Sequence, residues 1–205
     1  RRAGPLSVTV AAAGEVPTGR MVRRGAAEAG DLLYVSGTLG DAALGLAMAQ
    51  DDSLAARWGL TRESAAHLIG RYRRPHPPLP LVEVLRMHVR AAMDLSDGLV
   101  KDLGRMVRAS GCGAEVEVER VPQSAAAKAV VSRHPEMAGR ILSGGDDYEV
   151  LAAVPPGAVA DFERAAAACG VPVSHIGRCV ETAGVTVRDR SGAPVDIAGS
   201  GWDHF

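Results

Sequence analysis

Aromatic side chains are nearly missing from this sequence: two Phe, two Trp and three Tyr make up 3% of 205 residues. With 47% hydrophobic residues the chain can still bury a core, but that core has to be aliphatic, built from Ala, Val, Leu and Ile. An excess of one charge is missing too, since 23 Lys and Arg face 24 Asp and Glu. A balanced chain gives no electrostatic reason to expect nucleic acid or an anionic membrane as partner. No apolar run approaches the roughly 18 residues of a membrane-spanning helix. The opening RRAGPLSVTV has charges but not the long apolar stretch that a signal peptide needs. The three cysteines, Cys112, Cys169 and Cys179, form no C-x-x-C, and the six histidines form neither H-x-H nor H-E-x-x-H. Small buried thiols in a reducing, cytoplasmic setting are therefore expected, with histidines that pack or face water rather than bind metal.

A length of 205 residues suits one large domain, or one domain with a piece of another. The alternation LSVTVAA predicts a strand over Leu6–Ala12, entered so early that it reads as the end of something upstream. A second strand is predicted over Leu32–Ser36, followed by a glycine-rich turn and a helix capped by Asp41. In that helix Ala42, Gly45 and Ala49 would permit close approach of a neighbour. Thr61 is placed to cap another helix through about Tyr72. RRPHPPLP (Arg73–Pro80) cannot hold regular structure, because its prolines remove donors and fix the backbone. A helix is expected from about Leu81 to Val89.

The apolar positions Leu99, Leu103, Met106 and Val107 trace one helical face, and Gly111 would end that helix. AEVEVERVP alternates Val116 and Val118 with glutamates, the pattern of a strand wet on one face. Ser124–Ser132 reads as a helix. GGDDYEVLAAVP reads as a turn feeding a strand. Pro155 and Pro156 open a helix carrying Val159, Phe162 and Ala166, closed by Gly170. VSHIGRCV is a strand, and VTVRDRSGAPVDI a hairpin turning at Ser191–Gly192. The sum is an α+β fold, helices packed on a mixed β-sheet.

Two short stretches carry the chemistry. In AAMDLSDGLVKDLG (Ala91–Gly104), Asp94 and Asp97 lie where an apolar run turns into a helix. A cap from Ser96 or Asp97, aided by the helix dipole, accounts for one carboxylate, but Asp94 precedes the cap and stays unexplained. In SGGDDYE, Asp146, Asp147 and Glu149 crowd behind two glycines. A solvated acidic turn would account for this stretch alone. Two such clusters, each at an element edge and each beside glycine, point to a shared cation site. All-oxygen donors suit hard ions, and magnesium completes its shell with water and phosphate oxygens. That chemistry belongs to phosphoryl transfer, where positioning and charge neutralisation dominate.

DLSDGLVKDLG followed about 50 residues on by GGDDYE, with GDLLYVSGTLGDAALGL upstream and GWDHF at the end, resembles the thiamine-monophosphate kinase family. That family lies within the aminoimidazole-ribonucleotide synthetase superfamily. The resemblance covers nearly the whole chain, with the motifs in the family's order. It implies ATP- and Mg2+-dependent phosphorylation of thiamine monophosphate to thiamine diphosphate, by direct transfer to the substrate phosphate. Matched position by position, it makes Asp94 and Asp97 metal ligands, Ser96 and Arg24 ATP contacts, and Glu149 and Trp202 substrate contacts. Guanidinium on phosphate and an aromatic ring on a cationic heterocycle are both sound chemistry for those roles. The family's N-terminal domain, with a further acidic metal motif, has no counterpart here. Residues 1–16 are accordingly expected to be the last strand of that domain and 17–205 the C-terminal ATP-binding-type domain. The full-length protein is expected to be a cytoplasmic homodimer, and this stretch alone to be inactive.

Rival readings remain. Selenophosphate synthetase and the hydrogenase-maturation type share the superfamily and its use of ATP, without this pair of motifs. A non-catalytic nucleotide-binding or assembly domain would bind weakly and turn nothing over. An aspartyl phosphatase of the D-x-D-G type is disfavoured, because here Ser96 stands two residues after Asp94 and the second aspartate comes three after.

Overall fold

A computed structural model describes residues 8–195. Six strands form one mixed sheet: β1 (Leu32–Ser36), β2 (Ala91–Leu95), β3 (Gly113–Glu117), β4 (Glu149–Val154), β5 (Val173–Val180) and β6 (Gly184–Arg188). Their order is β2-β4-β1-β5-β3-β6. All neighbours are antiparallel except β3 and β6. Among the described residues, eight α-helices accompany the sheet: α1 (Asp41–Gln50), α2 (Leu54–Arg57), α3 (Arg62–Arg73), α4 (Val82–His88), α5 (Leu99–Ser110), α6 (Ala125–Arg133), α7 (Ala138–Ser143) and α8 (Val159–Ala168). This is the expected α+β arrangement.

Alternation along β1 distributes its residues between two cores. Leu33 and Val35 join Leu99, Leu103, Met106 and Val107 of α5 on one face. Tyr34 on the other face meets Val84 of α4 and Phe162 and Ala166 of α8. Helices α1, α3, α6 and α7 build a third apolar cluster, around Leu44, Leu68, Val130 and Ile141. The cores are aliphatic, as the scarcity of aromatics requires. Gly45 lets α1 and α3 touch, because a Cβ there would lie 2.1 Å from the Leu68 carbonyl oxygen. Ala42 is also buried, whereas Ala49 faces solvent. The side-chain cap expected at Thr61 is made, and Ser124 caps α6 in the same way, each accepting from the backbone N–H three residues on. All three cysteines are free, with Cys112 and Cys179 buried. No helix among the described residues is long and apolar enough to cross a membrane.

Several expectations shift. The strand over Leu6–Ala12 does not form across residues 8–12, where the chain is irregular and Val8 and Val10 are exposed. Alternation makes a strand only beside a partner with free backbone groups, and no described strand pairs with this segment. Asp41 is the first residue of α1 rather than its cap, and Gly40 takes the cap position. β3 stops at Glu117, and Val118–Arg120 turn as a 3-10 helix. The terminal hairpin is reduced to β6 and one bridge, Arg188 to Pro194, across a turn at Gly192.

Candidate functional site

The end of β2 and the start of β4 lie side by side, with Asp94 opposite Val150 and Leu95 opposite Glu149. Beyond the strands, the two acidic turns stay in contact. The Asp146 N–H donates to the Ser96 carbonyl and the Tyr148 N–H to the Leu95 carbonyl, both at 2.9 Å. Glycine makes the approach possible. A Cβ on Gly145 would lie 2.2 Å from the Ser96 carbonyl oxygen, and one on Gly98 2.5 Å from that of Ser143. Gly98 also has φ 116°, and Asp146 and Tyr148 have φ 69° and 53°. Positive φ at two non-glycine residues in one turn is costly backbone geometry, of the kind concentrated at binding and catalytic sites.

The first turn is shaped from below. Asp102, fully buried in the first turn of α5, accepts from the Ser96 and Asp97 N–H groups at 3.0 and 2.9 Å. It thereby does the work expected of a cap at Ser96 or Asp97, while Gly98 at the cap position has no side chain to offer. Arg105 joins the same carboxylate at 2.7 Å and also grips Asp97. Burial raises the Asp102 pKa against the opposing pull of these hydrogen bonds. Asp97 is largely covered, whereas Asp94 is exposed. Strand alternation puts Asp94 on the sheet face away from α5, beside Ala92, so the two carboxylates flank the end of β2.

The second turn points inward. Asp147 is buried and accepts from the Gly40 and Ala42 N–H groups at 2.7 and 3.2 Å, closing the start of α1. Burial pushes its pKa up to about 7 against these hydrogen bonds, and Asp41 nearby adds to the rise. Glu149 is buried as well. It accepts from Ser36 Oγ at 2.5 Å and from Arg71 Nη2 at 2.8 Å, and Arg71 also reaches the Asp147 carbonyl. Gly37 leaves room for this carboxylate, since a Cβ there would lie 2.2 Å from it. Asp41 completes the network, accepting from Thr38 and Ser124 and meeting His67 Nε2 at 3.1 Å.

Ser96, Asp94, Asp97 and Glu149 are therefore gathered at one end of the sheet. Arg24 is not part of that gathering in its main chain. Its carbonyl lies by Ser110 Oγ, and the Arg23–Ala91 bridge holds the segment at the start of β2. It sits at the opposite end of α5, about 17 Å along the helix axis by the usual rise per residue. Trp202 lies outside the described residues. Reading the sequence missed Asp102, Arg105, Arg71 and Ser36. Only Asp102 left a signal, as an acid in the first turn of a helix, which suits the dipole. Among the described residues no three His, Cys, Asp or Glu side chains converge into a metal cage. Magnesium asks for one or two carboxylates beside phosphate and water, which Asp94 and Asp97 can supply.

Residues 28–190 match the family model of the AIR synthase related protein, C-terminal domain. The chain is 42% identical over 204 residues to thiamine-monophosphate kinase of Caulobacter vibrioides, covering 98% of this chain and 55% of that protein. Among solved structures, thiamine-monophosphate kinase from Stenotrophomonas maltophilia K279a superposes with TM-score 0.77 at 33% identity, over 88% of this chain and 56% of that one. AaThiL complexed with AMPPCP and TMP gives TM-score 0.72 at 31% identity, over 91% and 55%. The chain thus spans a little over half the length of these relatives.

Proposed function

The chain belongs to the family of AIR synthase related C-terminal domains, and on that premise we propose that it supplies one half of the site of a thiamine-monophosphate kinase. The reaction is transfer of the ATP γ-phosphoryl group to the phosphate of thiamine monophosphate, giving thiamine diphosphate. The observation that carries this reading is the contact between the two acidic turns, held by backbone hydrogen bonds and by glycines that admit no side chain. Relatives bearing that kinase name, and a relative's structure with AMPPCP and TMP, support it.

In this reading Asp94 and Asp97 hold Mg2+ at the end of β2. The ion would neutralise phosphate charge during transfer. Ser96 offers its hydroxyl to ATP from a backbone that Asp102 holds in place. Arg24 contacts ATP phosphate with its side chain and would have to reach from the far end of α5. Glu149 faces the thiamine substrate, its carboxylate oriented by Arg71 and Ser36, and Trp202 contributes an aromatic face. Turnover belongs to the full-length natural protein, a cytoplasmic homodimer, and the 205-residue chain alone is inactive.

The test is kinase activity of the full-length natural protein with thiamine monophosphate, ATP and magnesium, beside Asp97→Asn. Thiamine diphosphate formed by the wild type and lost by at least about a hundredfold in the variant, as for removal of a group stabilising transition-state charge, is the expected result. A folded wild type that makes no product overturns the kinase reading. Full activity in the variant removes Asp97 from the metal site.

A further inference from the structure

Among the described residues, Arg105 is a cation seen on both carboxylates that shape the first acidic turn. Its Nη1 lies within contact of Asp97 Oδ2 and 2.7 Å from Asp102 Oδ1. The two acids differ in their other support. Asp102 is fully buried and has two backbone N–H donors besides the guanidinium. The Asp97 side chain is 16% exposed, and that of Arg105 is 33% exposed, so this end of the bridge opens to solvent.

We propose that Arg105 is the resident counter-ion of Asp97, a positioning residue that a divalent cation has to displace. The inference rests on the reading of Asp97 as a magnesium ligand. In the cation-free protein, Arg105 compensates two carboxylates that would otherwise repel each other across the start of α5. When the cation arrives, Arg105 gives up Asp97 and keeps Asp102, whose geometry does not change because the Ser96 and Asp97 N–H groups still hold it. The turn is thereby kept in its working shape when empty. The consequence is competition: the guanidinium weakens cation binding in exchange for a preformed site.

The experiment measures Mn2+ binding to the full-length natural protein by the loss of the free-ion electron paramagnetic resonance signal, with circular dichroism as a check of folding. Wild type is compared with Arg105→Gln and Arg105→Lys. Losing one charge-assisted hydrogen bond from the competing state should tighten Mn2+ binding on the order of tenfold in Arg105→Gln. Arg105→Lys keeps the charge but loses the planar fork, and should fall between the two. It also carries the test if the glutamine variant does not fold. The cation-induced rise in melting temperature should follow the same order. Equal affinity in all three proteins, or weaker binding in Arg105→Gln, overturns the displacement idea while leaving the metal site standing. No Mn2+ binding in any of them, wild type included, overturns the metal site and this inference together.

Discussion

The turns at Asp94–Gly98 and Gly144–Glu149 look alike on paper, each mixing acids with glycine beside a strand. In the folded protein they have opposite fates. Asp147 and Glu149 of the second are buried and committed to protein donors: the Gly40 and Ala42 N–H groups at the start of α1 for the one, Ser36 and Arg71 for the other. In the first, Asp94 is exposed, and Asp97 is paired with an arginine that is itself partly open to water. The second cluster is therefore a clamp between sheet and helices, and the first keeps its carboxylates nearer to water. A run of carboxylates does not announce which of these it will be. What decides is whether the surrounding fold supplies enough donors to hold the charge away from water.

Stability should therefore depend more on the second turn than on the first. The largest effect should come from Arg71→Ala, which strands Glu149 in the interior with only Ser36 beside it. Removing one member of a buried pair costs about 3–5 kcal/mol, to be read as a lowered urea midpoint. A change below 1 kcal/mol would show that the clamp is not a clamp. Gly145→Ala comes next. Its methyl would press on the Ser96 carbonyl, which is backbone and cannot swing away, so a loss of about 3 kcal/mol is expected from the strain of overpacking. Because the contact joins the two turns, this variant should also lose cation binding, which separates it from Arg71→Ala.

A pH experiment sharpens the contrast at lower amplitude. Asp147 has its folded pKa raised from 3.8 to about 7, so the native state keeps a proton that the unfolded chain has already released. Its contribution to stability is full below about pH 4 and declines as the pH climbs toward 7, by at most about 1.4 kcal/mol per unit for one proton. Asp147→Asn needs no ionisation and should flatten that decline. Urea midpoints of the two proteins between pH 5 and 8 should converge or cross as pH rises, and parallel curves would remove Asp147 as their cause. The smallest effect on stability should be that of Asp94→Asn, within about 0.5 kcal/mol for an exposed position. Its cost should fall on Mg2+-dependent activity of the full-length protein instead. If Asp94→Asn destabilises as strongly as Arg71→Ala, the two turns are not different in kind.

Local chemistry made much of this fold legible. β1 spans Leu32–Ser36 as the apolar run implies, and α5 runs from Leu99 to the left-handed Gly111. Thr61 caps the helix that follows it. These features depend on residues within one or two turns of each other, so spacing alone is informative. The short α2 and α7 went unseen because neither is long enough to show a period. Residues 8–12 form no strand because alternation records a tendency that only a neighbouring strand can realise.

The amino-acid sequence by itself determined that the cores are aliphatic, that helices and short strands alternate, and that two glycine-flanked acidic turns lie at element edges. Tertiary structure alone decided that those turns meet, and that Arg24 starts from the far end of α5. It alone decided that Asp102 rather than Ser96 or Asp97 organises the start of that helix, and that Arg71 and Ser36 claim Glu149. Each of these depends on donors brought in from distant parts of the chain. Whether a carboxylate ends buried and paired or open and available is set by which donors the fold delivers to it, and that is a property of three-dimensional neighbours rather than of spacing.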